Sequence, residues 1–424
     1  GMKVAVIGGG STYTPELIEG LATRRDRLPI SELVLHDVDP ERLAVVGSLA
    51  RRMLRRMEWS GRLELTSDMD AAVDGAGFVL IQLRVGGQQA RLVDETLPHR
   101  FGTIGQETTG AGGLAKALRT VPLVLDIAEL ARRRAAPDAW IVDFTNPVGI
   151  VTQALVDAGH RAIGLCNVAI TLQRRLARLI GADPGSLELR HVGLNHLSWI
   201  TGVMRDGQDV LPEILRTHAD ELGRELDLDP DVLRELGAVP SYYLRYYYAF
   251  DTVMAEQRDG HVRADEVMDL ERRLLEMYAD PTLDTKPALL GDRGGAFYSE
   301  AAAQLLASLT DGTGDVQVVD VRNGDAMPDL APDDVVEVPA RIDRDGAHPL
   351  PQPPMPATMR ELVRAVKAFE RLAIRAAETA DPADIRRALE AHPLIGGRID
   401  DVDPLLRALL EANRPYLASA GRPR

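Results

Sequence analysis

The sequence predicts an α/β fold built on a doubly wound parallel sheet, followed by a C-terminal α+β part. Three observations predict it. The chain opens on a strand, a glycine turn and a helix; apolar runs then alternate with helical stretches as far as Cys166; and after Gly185 the runs pair as hairpins between long helices. At 424 residues there is length for two units, placed at residues 2–190 and 191–424, and for a cleft between them.

Lys3 to Ile7 is a β-branched run that ends in Gly8-Gly9-Gly10-Ser11-Thr12-Tyr13-Thr14-Pro15, and helical spacing begins at Glu16. Small residues at such a turn let the backbone approach a pyrophosphate, and the helix start offers free N–H groups and a favourable dipole. Tyr13 stands where a third glycine is expected, so the usual close packing of helix on strand is not available. A second run, Glu32 to His36, ends at Asp37, where an acid reads a ribose diol and favours NAD over NADP. A helix is expected from Pro40 to Arg56. Gly77 to Leu83 reads as a buried parallel strand emptying into Arg84-Val85-Gly86-Gly87 and Arg91, at the end of the sheet where ligands bind.

Phe101 to Gly113 is too polar and too rich in glycine for a regular element and is suited to closing over a ligand. A helical stretch follows from Leu114 to Ala135, and Pro122 should kink or restart it. Trp140 to Phe144 and His160 to Cys166 are further strands, with Asn146 before Pro147 free to face a cleft. Leu187 to Gly193 and Ser198 to Met204, followed by the turn Arg205-Asp206-Gly207, point to antiparallel pairing. Helices are expected around 213–225, 244–256, 264–277 and 296–309, and strands at 316–321 and 335–338. Proline density marks 349–356 as a linker or ordered loop, and 359–417 is almost wholly helical by periodicity.

Composition narrows the function. Apolar residues at 45% and charged residues at 27% describe an ordinary globular protein. A net charge of −15 argues against a nucleic-acid partner, and no apolar run is long enough for a membrane span. No secretory signal pattern is visible, and a single cysteine agrees with a reducing compartment, so a cytoplasmic location is expected. Any anionic substrate must then meet a local basic pocket.

That cysteine, Cys166, lies in Gly164-Leu165-Cys166-Asn167-Val168, and Gly193-Leu194-Asn195-His196-Leu197 follows. Thiolate and imidazole are suitable ligands for a borderline divalent metal, although an isolated cysteine and histidine are more often packed residues. Tyr242 to Tyr248 likewise reads first as an aromatic stripe on a core helix.

These segments, with Ile104-Gly105-Gln106-Glu107-Thr108-Thr109-Gly110, Phe144-Thr145-Asn146-Pro147 and Tyr243-Leu244-Arg245-Tyr246-Tyr247, occur in the order seen in the family 4 glycoside hydrolases. The chain resembles that family from its N-terminus to past its middle, and within it the 6-phospho-β-glucosidases. Even Tyr13 fits, because the family's glycine turn has that form. The resemblance implies a sheet like that of lactate and malate dehydrogenases, and a homodimer or homotetramer. It implies bound NAD at Gly8, Gly9, Gly10, Ser11, Thr12, Asp37 and Arg84, and a divalent metal, usually Mn²⁺, on Cys166 and His196.

Family 4 is an exception to two-carboxylate glycosidase chemistry. The implied reaction oxidises C3, which acidifies the hydrogen on C2; a base removes it, the C1 group leaves, water adds, and the ketone is reduced again. The implied base is Tyr243, and the implied contacts to sugar and 6-phosphate are Arg91, Asn146 and Asn167. Asn rather than Asp after the cysteine implies a phosphorylated β-glucoside substrate, while Ala169 departs from the proline usual in β-specific members. Two other readings stay open: an NAD-dependent dehydrogenase of a hydroxy acid or sugar acid, and a non-catalytic NAD and sugar-phosphate sensor.

Overall fold

A computed structural model describes residues 1–260, 263–293 and 297–417. Six strands follow the predicted alternation: β1 (Met2–Ile7), β2 (Ile30–His36), β3 (Arg62–Thr66), β4 (Phe78–Ile81), β5 (Trp140–Asp143) and β6 (Ala162–Gly164). Seven more follow: β7 (Leu187–Leu194), β8 (Leu197–Arg205), β9 (Gln208–Asp209), β10 (Val239–Pro240), β11 (Asp315–Arg322), β12 (Val335–Asp343) and β13 (Gly346–Pro349). The first six form a parallel sheet in the order β3-β2-β1-β4-β5-β6, the doubly wound arrangement, so a crevice opens where the order reverses between β1 and β4.

Fully buried side chains cover both faces of this sheet. Val4, Val6, Leu33 and Leu35 pack on one side, and Ala5, Ile7, Val34 and Val79 on the other. That burial explains why these strands read as continuous apolar runs. The run after Gly185 is antiparallel, as expected: β7 pairs with β8 through the tight turn at Asn195 and His196, and the turn at Asp206 and Gly207, both at positive φ, joins β8 to β9. The other late strands go elsewhere. β11 pairs antiparallel with β6 through Asp320 and Gly164, and β12 and β13 add to it, so one nine-stranded sheet draws strands from both halves of the chain.

Two expected helices differ. Gly110–Arg134 runs as one 25-residue helix, because Leu118, Val121, Val124 and Ile127 bury a continuous stripe on both sides of Pro122. The helix expected at 244–256 is broken into a 3-10 turn (Tyr242–Leu244) and helices Arg245–Tyr248 and Phe250–Asp259. Its aromatic residues are anchored in different directions: Tyr243 on His196, Tyr247 beside His392, and Tyr248 accepting from Trp199 Nε1 at 2.9 Å. The others hold to within a few residues at Leu211–Leu226, Arg263–Tyr278 and Tyr298–Asp311; Ala296, the expected start of the last, lies outside the described residues. Three helices, Ala357–Thr379, Pro382–Ala391 and Asp403–Leu417, fill most of 359–417.

Gly8 ties the glycine turn to β4. Its φ is +89°, and a Cβ there would lie 2.1 Å from the Gln82 carbonyl oxygen. Gly8→Ala is therefore expected to destabilise the fold by more than the roughly 1–3 kcal/mol of backbone strain alone and to abolish dinucleotide binding. Thermal melts with and without NAD check both effects; an unchanged melting temperature would contradict the close approach.

Candidate active site

A cleft of about 780 Å³ opens over the carboxyl ends of β1, β2 and β4. Gly8, Ser11, Asp37 and Arg84 line it, and Arg91, Asn146, Asn167 and Tyr243 share the same space. Gly9, Gly10 and Thr12 are not among its walls. A Cβ on Gly9 would lie 2.8 Å from Leu35, and one on Gly10 2.7 Å from Asp37, so these glycines let the turn sit against β2. Thr12 is fully buried, its hydroxyl donating to Glu271 at 3.2 Å and its carbonyl accepting from Tyr278 at 2.7 Å. Asp37 accepts from Gly10 N at 2.9 Å and Asp39 N at 3.0 Å, which fixes a carboxylate at the mouth of the turn. Tyr13 avoids the close packing a third glycine would serve by projecting into the cleft, edge-on to Tyr298.

The segment 102–109 is a packed wall rather than a cover. Thr103, Ile104, Glu107 and Thr109 are buried, and a Cβ on Gly105 would lie 1.9 Å from the Glu95 carbonyl oxygen. Glu107 is the centre of a buried charge cluster: Arg84 reaches it at 2.8 Å, Lys116 at 2.7 Å and Arg91 at 3.1 Å. Arg91 is also held by Glu95 at 2.9 Å. Burial opposes the charge of Glu107, but Lys116, Arg84 and Arg91 hold its carboxyl well below the usual range. Burial, and then Arg84, push the Lys116 ammonium down to about 8 against the pull of Glu107. Three cations against two carboxylates, Glu107 and Glu95, leave the cleft the local positive charge that a protein of net charge −15 needs for an anionic ligand.

Beyond this cluster lies the cysteine and histidine region. His196 sits in the tight turn between β7 and β8 with φ of 64°, a conformation rare for a residue with a side chain, and stacks on Tyr243 with ring centroids 3.7 Å apart. Its Nδ1 pairs with Thr108 Oγ1 at 2.9 Å, which orients the ring and directs Nε2 to any added ligand. Burial pushes the imidazole down to about 4, so the ring is neutral near neutral pH and able to bind a metal. Cys166 follows β6; burial, reinforced by the charge of Glu337, pushes its thiol far above the ordinary value. Asn195 connects the two, interacting with the Cys166 thiol and donating to Glu337 Oε1 at 3.2 Å. Burial, then Cys166 and other neighbours, also push the Tyr243 phenol well above its ordinary value.

Among the described residues no group of three or more His, Cys, Asp or Glu side chains is arranged to hold a metal. A site of two protein ligands leaves most coordination positions to substrate and water, which suits a metal that acts on substrate and not a structural ion. Thiolate and imidazole alone do not select Mn²⁺, a metal that prefers oxygen; sugar oxygens would have to complete the set.

Glu107, Lys116 and Glu337 were not assigned roles from the sequence. Glu337 is an acid inside the run Val335-Val336-Glu337-Val338, itself a signal, and it accepts from His191 Nε2 at 3.0 Å behind Cys166. Lys116 carried a signal too, since only four of the 49 basic residues (Lys3, Lys116, Lys286 and Lys367) are lysine.

The sheet order and the glycine turn at the switch point define a doubly wound α/β protein of the dehydrogenase-like class. The chain belongs to the family 4 glycosyl hydrolases: residues 3–182 match the profile described as family 4 glycosyl hydrolase, and residues 191–395 match its C-terminal domain. It is 38% identical to the probable 6-phospho-beta-glucosidase of Bacillus subtilis over 98% of this chain and 97% of that one. A crystal structure of the Thermotoga maritima 6-phospho-beta-glucosidase with manganese, NAD⁺ and glucose-6-phosphate superposes with a TM-score of 0.92 at 35% identity, covering 98% of this chain and 99% of the other. The fold also resembles malate dehydrogenase of Plasmodium falciparum, with a TM-score of 0.52 at 11% identity over 92% of this chain and 99% of that one. The expected dehydrogenase-like sheet and the family are thus both found. No helix among the described residues is long and apolar enough to cross a membrane.

Proposed function

We propose that the protein hydrolyses 6-phospho-β-glucosides by NAD- and divalent-metal-dependent oxidation at C3, elimination across C1 and C2, water addition and re-reduction. The observation that carries this reading is Tyr243 stacked on His196, next to Cys166, at a cleft that also holds the glycine turn and a cluster of cations. Residues 2–190 hold the dinucleotide at Gly8, Ser11, Asp37 and Arg84, with Gly9, Gly10 and Thr12 shaping the turn behind them, and residues 191–424 supply the base and the contacts of a homodimer or homotetramer. When bound, NAD⁺ on that turn and Mn²⁺ on Cys166 and His196 supply a hydride acceptor for C3 and a Lewis acid for the oxygens on C2 and C3. Tyr243 removes the hydrogen from C2. Asn146 and Asn167 orient the sugar hydroxyls, and Arg91 holds the 6-phosphate with its planar guanidinium already fixed by Glu95 and Glu107. Ala169 is the second residue of the helix Val168–Leu179, in a first turn where alanine and proline can both stand.

A panel of nitrophenyl α- and β-glycosides, with and without a 6-phosphate, tests the reading in the presence of NAD⁺, Mn²⁺ and a thiol reductant. Cleavage of the β-linked phosphorylated member, with no net accumulation of reduced nucleotide, is expected. Reduced nucleotide formed in proportion to substrate would make the protein a dehydrogenase, and binding without cleavage would make it a sensor. Arg91→Ala should raise KM for the phosphorylated glycoside by about 10-fold or more and leave an unphosphorylated analogue little changed. Equal effects on the two would remove Arg91 from the phosphate.

A further inference from the structure

Oxidation at C3 needs a second acceptor besides the one for hydride, because the hydroxyl on C3 must lose its proton as the ketone forms. We propose that the Lys116 amine is that proton acceptor, a step that rests on the hydrolase reading above and adds to it.

The choice of side chain is the first argument. This chain uses arginine almost throughout, with four lysines among 49 basic residues. Lys3 and Lys286 are surface residues. Lys367 is buried but lies outside the cleft, paired with Glu370 at 2.7 Å. Lys116 is the lysine that lines the cleft, and it is only 2% exposed. Arginine would serve as well or better for a salt bridge to Glu107 or a contact to phosphate, but it stays protonated at any physiological pH, whereas a buried lysine can give up its proton.

The surroundings make the proton easier to give up than on an ordinary lysine. Arg84, from the loop after β4, and Arg91, from the helix Gly87–Thr96, disfavour a third positive charge, while Glu107 supports it. Asp94 on that helix and His196 in the β7–β8 turn also sense the Lys116 charge; Asp94 is itself bound by Arg119 at 2.7 Å, and His196 is neutral. The outcome is the ammonium held near 8 described above, poised between donor and acceptor. Arg84 and Glu107 also fix its position, since Glu107 Oε2 accepts from both Arg84 Nη1 and Lys116 Nζ.

The step balances. The C3–H bond breaks with its electron pair passing to the nicotinamide ring, the O3–H bond breaks with its proton passing to Lys116 Nζ, and the C3=O double bond forms. In the final reduction the same proton returns to O3 as hydride returns to C3, so the amine ends as it began.

Two measurements test the inference. With only four lysines, a protein labelled with ¹³C at lysine Cε gives a spectrum that Lys→Arg changes at positions 3, 286 and 367 assign by elimination. Lys116 is expected to titrate near 8 in the protein without ligands, and a midpoint in the ordinary lysine range of about 10.4 would overturn the proposal. Lys116→Arg keeps the charge but cannot accept a proton. It should bind NAD⁺ and glucose 6-phosphate as the wild type does, lose about 10²-fold or more in turnover, and show a larger isotope effect with substrate deuterated at C3. Turnover retained in Lys116→Arg would assign Lys116 a purely electrostatic role. Wild-type cleavage with C2 exchange in the same assay keeps the hydrolase reading separate, so the failure of one does not imply failure of the other.

Discussion

Tyr243→Phe is expected to reduce turnover and the exchange of the C2 hydrogen with solvent together, by about 10²-fold or more, while NAD and metal binding persist. The substitution keeps the ring stacked on His196 at 3.7 Å and removes only the ionisable oxygen. Product formed by the wild type in D₂O should carry deuterium at C2, because the proton returned there comes from solvent, whereas displacement at C1 never breaks that bond. The environment makes the base role demanding. Burial, then Cys166, Tyr246 and Glu107, raise the phenol well above its ordinary value, and Arg91 alone among the principal neighbours opposes them. Tyr243 therefore becomes a base only when positive charge arrives on the Cys166 and His196 side, which ties proton removal to an assembled site. No deuterium at C2 in the wild-type product would sink the elimination route. Exchange that survives in Tyr243→Phe would move the base to another residue, with Tyr246, whose ring centroid is 6.2 Å from that of Tyr243, as the first to test.

The parallel half of the fold was legible because its strands are buried on both faces. Val4 to Ile7 and Phe78 to Ile81 have no polar interruption, and strands of that kind joined by helices pack in few ways. The late strands were legible as strands but not in their partners: β11 and β12 carry the same short valine-rich pattern whether they pair with β8 or with β6, and only the tertiary structure decides. The Tyr242 to Tyr248 stretch has helical periodicity, yet contacts with His196, His392 and Trp199 pull its rings apart and outweigh propensity. In the site, glycine, cysteine and histidine positions stood out because few other residues fit their geometry or chemistry. The pairing of Glu107 with Lys116 did not, since a charge nine residues from its partner across the start of a helix gives no local pattern, and only the rarity of lysine in this chain marks Lys116.

Cys166→Ser should bind NAD and keep its fold but lose most activity, because a serine hydroxyl at this position is a far weaker metal ligand than a thiolate. The electrostatics make a sharper prediction for the wild type. Burial and Glu337 keep Cys166 a neutral thiol near neutral pH in the absence of metal, so coordination must release its proton. His196, held down to about 4, is already neutral and releases none. The sign follows: metal affinity rises with pH, by about tenfold per unit between roughly pH 5 and 8, corresponding to one proton released. Calorimetry of Mn²⁺ binding in buffers of different ionisation enthalpy counts that proton directly, and Cys166→Ser should abolish both its release and the slope. A wild-type affinity independent of pH, or full activity of Cys166→Ser after exhaustive chelation, would remove the thiol from the metal site. The same thiol chemistry predicts loss of activity on mild oxidation and recovery with a reductant, since a sulfenic acid no longer offers the thiolate lone pair.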